Sequence, residues 1–291
     1  MQQKNAPLFG PGGNSEEFYQ AGKKTTKEAP AWVKETGLDA YEYEAGNGIA
    51  AGEATLRAIG AAAREAGVAM SFHTPYFISL SGVEEEKRLK SIVYLRDSLW
   101  AAELLGAGTI VVHTGSAAKI TRGEAMRLAA DTLLRFMDTI GDTPIAIGLE
   151  TMGKKNQLGT LEEVLTLCKL DPHFVPVVDF GHLNARECGG VFQTADDYTR
   201  VFDAIGSTLD DRIARNLHCH FSKIEWTAAG EKKHLTFADT TYGPPFEPLA
   251  EAIARDGLTP TLISESAGTQ SADARAMKAA WLAASGTQKE G

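Results

Sequence analysis

The stretch Val175-Pro-Val-Val-Asp-Phe-Gly-His-Leu-Asn-Ala-Arg186 decides how the rest of the chain is read. An apolar run closes on a carboxylate, Asp179, and an imidazole follows three residues later at His182. Two potential metal ligands thus stand where a buried strand passes into a loop. The arrangement recurs on both sides of this stretch. Val68 to Phe72 runs into His73, Gly108 to Val112 into His113, and Ile145 to Leu149 into Glu150. Downstream, Asn216-Leu217 leads to His218, and Thr261 to Ser264 leads to Glu265. Apolar segments far apart in the chain each deliver a nitrogen or oxygen donor at the C-terminal end. A scaffold that gathers those donors in one place is predicted.

The intervening sequence supplies the helices such a scaffold needs. Residues 24–35, 52–66, 84–105 and 122–140 carry helical periodicity, with Leu89, Ile92, Leu95, Leu99 and Ala102 as the stripe of the third. Thr160-Leu-Glu-Glu163 is a capping box, in which hydroxyl and carboxylate each satisfy an orphan N–H, and it predicts a fifth helix. Further helices are predicted over 195–205, from Pro244-Pro245 to about Ala254, and from near Ser271. Strands are expected at Pro7 to Gly13 and at Leu38-Asp-Ala-Tyr-Glu-Tyr-Glu44, which alternates at period 2. Strands alternating with helices imply a parallel sheet. An open sheet binds at one switch point, whereas only a closed barrel brings many C-terminal strand ends round one mouth. The expected fold is therefore a (β/α)8 TIM barrel, α/β with parallel strands, as a single domain over 1–291 with polar tails at about 1–6 and 285–291. Pro176 lacks a ladder donor, so the sixth strand is expected to start in effect at Val177.

The length of 291 residues suits one such barrel, which typically takes about 250. A net charge of −9 argues against a broad basic face for coating nucleic acid, though not against a cleft made positive by metal ions. Cys168, Cys188 and Cys219 form no CxxC pattern and read as free thiols in a reducing compartment. The N-terminus has no apolar core of a leader and no run approaches 18 apolar residues, so a cytoplasmic, membrane-free protein is expected.

The donor set is His73, His113, Glu150, Asp179, His182, His218, His234 and Glu265. Imidazole and carboxylate without thiolate suit zinc, manganese or iron. So many donors exceed one coordination sphere, and two or more ions follow, with Glu150 the candidate for a bridging carboxylate. Paired ions roughly 3.5–4 Å apart suit phosphoester hydrolysis.

The segments Val111-Val-His113-Thr-Gly, Gly148-Leu-Glu150-Thr, Val178-Asp179-Phe-Gly-His182, His218-Cys-His-Phe-Ser-Lys223 and Ser264-Glu265 resemble, in order and spacing, those of the endonuclease IV family. The resemblance spans about His73 to Glu265. It implies a TIM barrel of the xylose isomerase-like superfamily and a trinuclear zinc enzyme that hydrolyses DNA 5′ to an abasic site in base excision repair. It further implies one ion on His73, His113 and Glu150, a second on Glu150, Asp179, His218 and Glu265, and a third on His182 and His234. Glu150 is then the catalytic carboxylate. The family carries an aspartate two residues before the last histidine, whereas here Lys232 stands there, within Gly230-Glu231-Lys232-Lys233-His234. Either Glu231 swings in or the third site is weak, so two or three ions are expected.

Three other residues are candidates for substrate binding. Tyr76 stands where the family places a tyrosine that probes the lesion, or else packs over the mouth. Lys154 and Lys155, in the glycine-bounded loop 153–159, meet phosphate or form a solvated loop. DNA with abasic sites is the expected partner and a monomer the expected state. The competing reading is a metal-dependent sugar isomerase or epimerase with a single ion, in which Glu150 or Glu265 moves the proton. A non-catalytic DNA-damage binding protein is the third.

Overall fold

The computed structural model describes residues 6–287. Eight strands form one parallel sheet: β1 (Leu8–Pro11), β2 (Ala40–Glu44), β3 (Ala69–His73), β4 (Thr109–His113), β5 (Ala146–Glu150), β6 (Phe174–Asp179), β7 (His218–Phe221) and β10 (Thr261–Ser264). Their order is β1-β10-β7-β6-β5-β4-β3-β2. A parallel bridge between Gly12 and Glu42, with Asp39 N–H donating to Phe9 O at 2.8 Å, brings the two end strands together into a nearly closed barrel. Gly10 permits that approach, because a Cβ there would lie 1.8 Å from Ala40 O. The expectation of a TIM barrel holds.

Helices α1 (Glu16–Gln20), α2 (Ala29–Glu35), α3 (Glu53–Ala66), α4 (Glu85–Leu105), α5 (Arg122–Met137), α6 (Leu161–Cys168), α7 (Phe180–Arg186), α8 (Ala195–Thr208), α9 (Asp211–Arg215), α10 (Glu247–Arg255) and α11 (Gln270–Thr287) connect the strands. The sequence signals show in their ends: Thr160 caps α6 by accepting from Glu163 N–H, and Glu163 returns the bond. In α4 the residues Ile92, Leu95, Leu99 and Ala102 are buried, but Leu89 is exposed. The first predicted helix is a 3-10 turn (Thr26–Glu28) running into α2. The polar tail expected from 285 is helical as far as Thr287, in α11, and its remainder lies outside the described residues. Pro176 does not delay its strand: β6 begins at Phe174 and Pro176 pairs with Leu149. No described helix is long and apolar enough to cross a membrane.

Period-2 alternation sorts the strand residues between two environments. Phe72, Ile110, Val112, Ile147, Leu149, Val178, Cys219, Phe221 and Leu262 join the apolar shell beneath the helices. Each such side chain contributes about 1.5–3 kcal/mol of burial. The intervening positions (Ser71, Val111, Gly148, Val177, His218) are left for the barrel interior, along with Glu42, Glu150, Asp179 and His220. Two short strands, β8 (Ile224–Thr227) and β9 (Gly230–His234), form an antiparallel hairpin after β7, outside the barrel sheet.

Candidate metal centre

Glu150, the last residue of β5, stands at the centre of the donors. Its Oε1 lies 2.9 Å from His220 Nδ1 and 3.5 Å from His182 Nδ1. Its Oε2 lies 3.2 Å from His113 Nε2 and 3.6 Å from His73 Nε2. His73 and His113 come from the ends of β3 and β4, so three successive strand ends supply this group. The His73 Nδ1 faces Thr74 O at 2.9 Å, and an N–H donated there leaves Nε2, on the Glu150 side, as the nitrogen that could ligate an ion once it gives up its proton.

Asp179 serves two purposes. Its Oδ1 caps α7 by accepting from His182 N–H at 2.7 Å, while its buried Oδ2 has no hydrogen-bond partner. The cap explains the Asp-x-x-His spacing, because an N-cap side chain reaches the N–H three residues on. His182 then sets its Nδ1 2.9 Å from Thr151 O and its Nε2 3.5 Å from Glu231 Oε2. His234 approaches from β9, with Nε2 4.0 Å from Glu231 Oε1.

The hairpin sets Glu231, and not Lys232, beside His182 and His234. In the β8–β9 ladder Trp226 pairs with Glu231 and Glu225 with Lys233, so Lys232 is an extra, bulged residue. Along a regular strand, residues three apart point to opposite faces. The bulge corrects this phase and turns Glu231 and His234 to one side. Lys232 and Lys233 both turn outward to Glu225. Gly153 makes room: a Cβ there would lie 2.6 Å from Glu231 Cβ.

One expected donor is elsewhere. His218 begins β7 instead of ending it, and it lines a cavity of about 530 Å³ at the N-terminal end of the barrel, beside Leu8, Ala69, Ala146 and Thr261. Its Nε2 meets Glu42 Oε2 at 2.9 Å. The donor that joins Glu150, Asp179 and Glu265 is His220, one strand period further on, with Nδ1 3.2 Å from Glu265 Oε1. Glu42 and Glu44, inward-facing on β2, were also not among the expected donors.

Among the described residues five groups of side chains offer ligand atoms close enough to share an ion, and three of them adjoin around Glu150 and Glu265: His73, His113 and Glu150; Glu150, Asp179, His220 and Glu265; and His182, His234 and Glu265. The other two draw on Glu42, with His218 and His220 or with Glu44 and Glu265. Among the described residues, buried Glu150 Oε2 and Asp179 Oδ2 lack hydrogen-bond partners, as do Glu42 Oε1, Glu44 Oε2 and His220 Nε2 in the same cluster, which fits a site that a cation would complete. The mixed nitrogen and oxygen set fits zinc, manganese or iron(II). A cavity of about 380 Å³ opens over the three adjoining groups, lined by Tyr76, Lys154, Gln157 and Glu231 and by all their donors except Asp179 and His220, which lie deeper. Tyr76 is exposed and stacks on His113 at 5.5 Å between ring centroids. Lys155 turns away, its Nζ 3.5 Å from Cys188 Sγ.

The electrostatics follow from burial and crowding. Burial pushes Glu150 upward, but the charge of His220 and the close approach of the His113, His220 and His73 imidazoles outweigh it and hold the carboxyl well below its usual range. Burial raises Glu265 well above its usual value, opposed by His220 and reinforced by Glu150 and Asp179. Burial lowers His73 and His182, yet neighbouring carboxylates win: Glu44 and Glu150 bring His73 up to about 10, and Asp179 and Glu231 bring His182 up to about 9. At His113 and His234 burial prevails and the pKa falls.

Comparison with known proteins agrees with this architecture. An uncharacterised protein of Methanocaldococcus jannaschii, MJ0133, is 27% identical over 203 residues, 68% of this chain and 72% of that protein. The "Probable endonuclease 4" of Acholeplasma laidlawii is 29% identical over 137 residues, and the match spans 46% of this chain and about half (47%) of that protein. Among solved structures, a D-tagatose 3-epimerase-like protein superposes with a TM-score of 0.71 at 18% identity, covering 97% of this chain and 99% of its own. Endonuclease IV from Thermus thermophilus gives 0.70 at 22% identity, covering 95% and 99%. At these identities the two structures share the fold with this chain. The profile of the xylose isomerase-like TIM barrel matches residues 30–284, and to that family the chain belongs.

Proposed function

We propose that the protein is a zinc-dependent phosphodiesterase that cleaves the DNA backbone 5′ to an abasic site. The observation that carries this reading is that three donor groups adjoin through two shared carboxylates, Glu150 and Glu265. A one-ion isomerase needs only one of them. The group of Glu150, Asp179, His220 and Glu265 would serve it, and the His73–His113 and His182–His234 pairs would then have no task. Manganese or iron(II) would suit the same donors.

When bound, two or three divalent ions supply Lewis acidity toward phosphoryl oxygens and water. The chain does the rest. Glu150 joins the first two groups, and its low pKa keeps it a carboxylate at neutral pH. Lys154 places an ammonium at the cavity edge for a non-reacting phosphate. Tyr76 offers an aromatic face at the mouth, where a gap in the base stack leaves surface to cover. The acidic chain as a whole is compatible with a polyanion because the ions supply the local positive charge.

The resemblance to the A. laidlawii protein favours this substrate; the likeness to the epimerase-like structure favours the alternative, a one-ion sugar epimerase with Glu150 or Glu265 moving the proton. Nicking of a duplex containing a tetrahydrofuran abasic analogue separates them. Zinc-loaded protein is expected to nick it, chelated protein and Glu150→Gln are not, and elemental analysis is expected to find two or three ions per chain. One ion per chain with no nicking would establish the epimerase reading instead.

A further inference from the structure

Beneath the donors lies a carboxylate that the proposed ions do not need. Glu42 is fully buried, with Oε1 2.8 Å from His220 Nε2 and Oε2 2.9 Å from His218 Nε2. In the sheet, β2 and β7 are not neighbours; β1 and β10 lie between them across the closure. The contact therefore passes through the barrel interior, which is ordinarily filled by branched apolar side chains. A buried carboxylate there is strongly unfavourable without partners, and Glu42 has one imidazole beside each oxygen: His218 in hydrogen-bond geometry at Oε2, and His220 in close charge contact, off hydrogen-bond alignment, at Oε1.

His220 has one nitrogen toward Glu42 and the other, Nδ1, toward Glu150 Oε1 at 2.9 Å and Glu265 Oε1 at 3.2 Å. An imidazole backed by a carboxylate is fixed in orientation and tautomer, and it is the stronger donor through its far nitrogen. Glu42, His218 and His220 are close enough to hold an ion themselves, but His220 would then ligate through both nitrogens.

We infer that Glu42 is a positioning residue for His220, itself held by His218, so that the three side chains form a buried strut from the N-terminal cavity to the group of Glu150, Asp179 and Glu265. The inference rests on the metal site proposed above. His218 is thereby given a role two steps from the ions.

The test is zinc binding by Glu42→Gln, measured by competition with a chromogenic chelator beside the wild-type protein. The amide keeps the shape but can accept from only one ring through its single oxygen. One class of ion is expected to bind about 10- to 100-fold more weakly. Full stoichiometry and nicking activity return at saturating zinc, which a general folding defect would not allow. A dissociation constant within twofold of wild type overturns the inference. So does a missing ion that saturating zinc does not restore, because Glu42 would then be a ligand. A wild-type protein that takes up no metal overturns the site itself along with the inference. If Glu42→Gln is recovered only unfolded, His218→Gln decides: a loss of threefold or more supports the strut, and an unchanged constant overturns it.

Discussion

Replacing Glu231 by Gln, with Lys232→Ala as its companion, tests how a two-residue motif survives an insertion. The carboxylate lies 3.5 Å from His182 Nε2 and 4.0 Å from His234 Nε2 and is little exposed, so an ion between the two rings would feel its full charge. Two unit charges about 4 Å apart interact by about 4 kcal/mol at an effective dielectric of about 20, and a divalent ion doubles that. The amide of Gln retains an oxygen donor and recovers most of it. A net loss of about 2–3 kcal/mol remains, or roughly 30- to 150-fold in affinity. Lys232 reaches outward to Glu225 as a solvent-screened surface pair that contributes little. Zinc-buffered dialysis followed by elemental analysis is therefore expected to find one ion fewer in Glu231→Gln and no change in Lys232→Ala. Equal zinc in Glu231→Gln and wild type, or a missing ion in Lys232→Ala, would refute the reasoning from the bulge.

Tyr76→Ala is expected to leave zinc content unchanged and to weaken binding of the abasic duplex by about 1–3 kcal/mol, the usual worth of one base–aromatic stack; fluorescence anisotropy with unchanged affinity would count against the DNA reading. Buried Arg186 donates to the carbonyls of Met152, Lys154, Lys155 and Gln157, the loop that carries Lys154 to the cavity. Arg186→Met is expected to lower stability by about 2–4 kcal/mol in urea titration, and a change below about 0.5 kcal/mol would show the loop held by other means. Zinc uptake is expected to release protons. His73 at about 10 and His182 at about 9 are imidazolium at neutral pH in the metal-free protein, and each must lose its proton to ligate. Apparent affinity therefore rises with pH up to about 9–10, and calorimetry at pH 7.5 in buffers of different ionisation heat should count at least one proton. A buffer-independent heat would contradict the assignment of either histidine.

Much of the barrel was legible because helix starts and strand ends are local signals. The Thr160–Glu163 box and the strands closing on His73, His113, Glu150 and Asp179 needed no tertiary information. What failed was phase. His218 and His220 share the inner face of β7, so alternation treats them alike; only the register, which pairs Val177 with His218 and Asp179 with His220, tells which lies level with the other donors. Reading His218 as a strand's end instead of its start moved the site by one period. Tyr41-Glu-Tyr-Glu44 failed for a related reason. In a half-solvated sheet the carboxylates would face water, but here helices cover the outer face. Tyr43 stacks on Phe72 there at 5.5 Å, and the glutamates turn inward. Glu231 was hidden by a bulge, which only pairing with β8 reveals.

The barrel interior thus holds two incompatible materials, and their arrangement explains how the site can form before any ion arrives. Lower positions such as Val111, Gly148 and Val177 are apolar and closely packed; a Cβ on Gly148 would lie 2.5 Å from Val177 Cγ2. Above them Glu150, Asp179 and Glu265 crowd together, and carboxylates at such separations repel. Two devices contain that repulsion in the metal-free chain. Burial and its anionic neighbours leave Glu265 protonated well above the usual range, while His73 and His182 carry protons to about pH 10 and 9. Protonated imidazoles stand in for cations and hold the carboxylates at ligating distance. An arriving ion has only to exchange with those protons, since the side chains are already drawn together. The strands and the α7 cap fix the donors, and charge balance makes that fixed arrangement one that divalent cations complete.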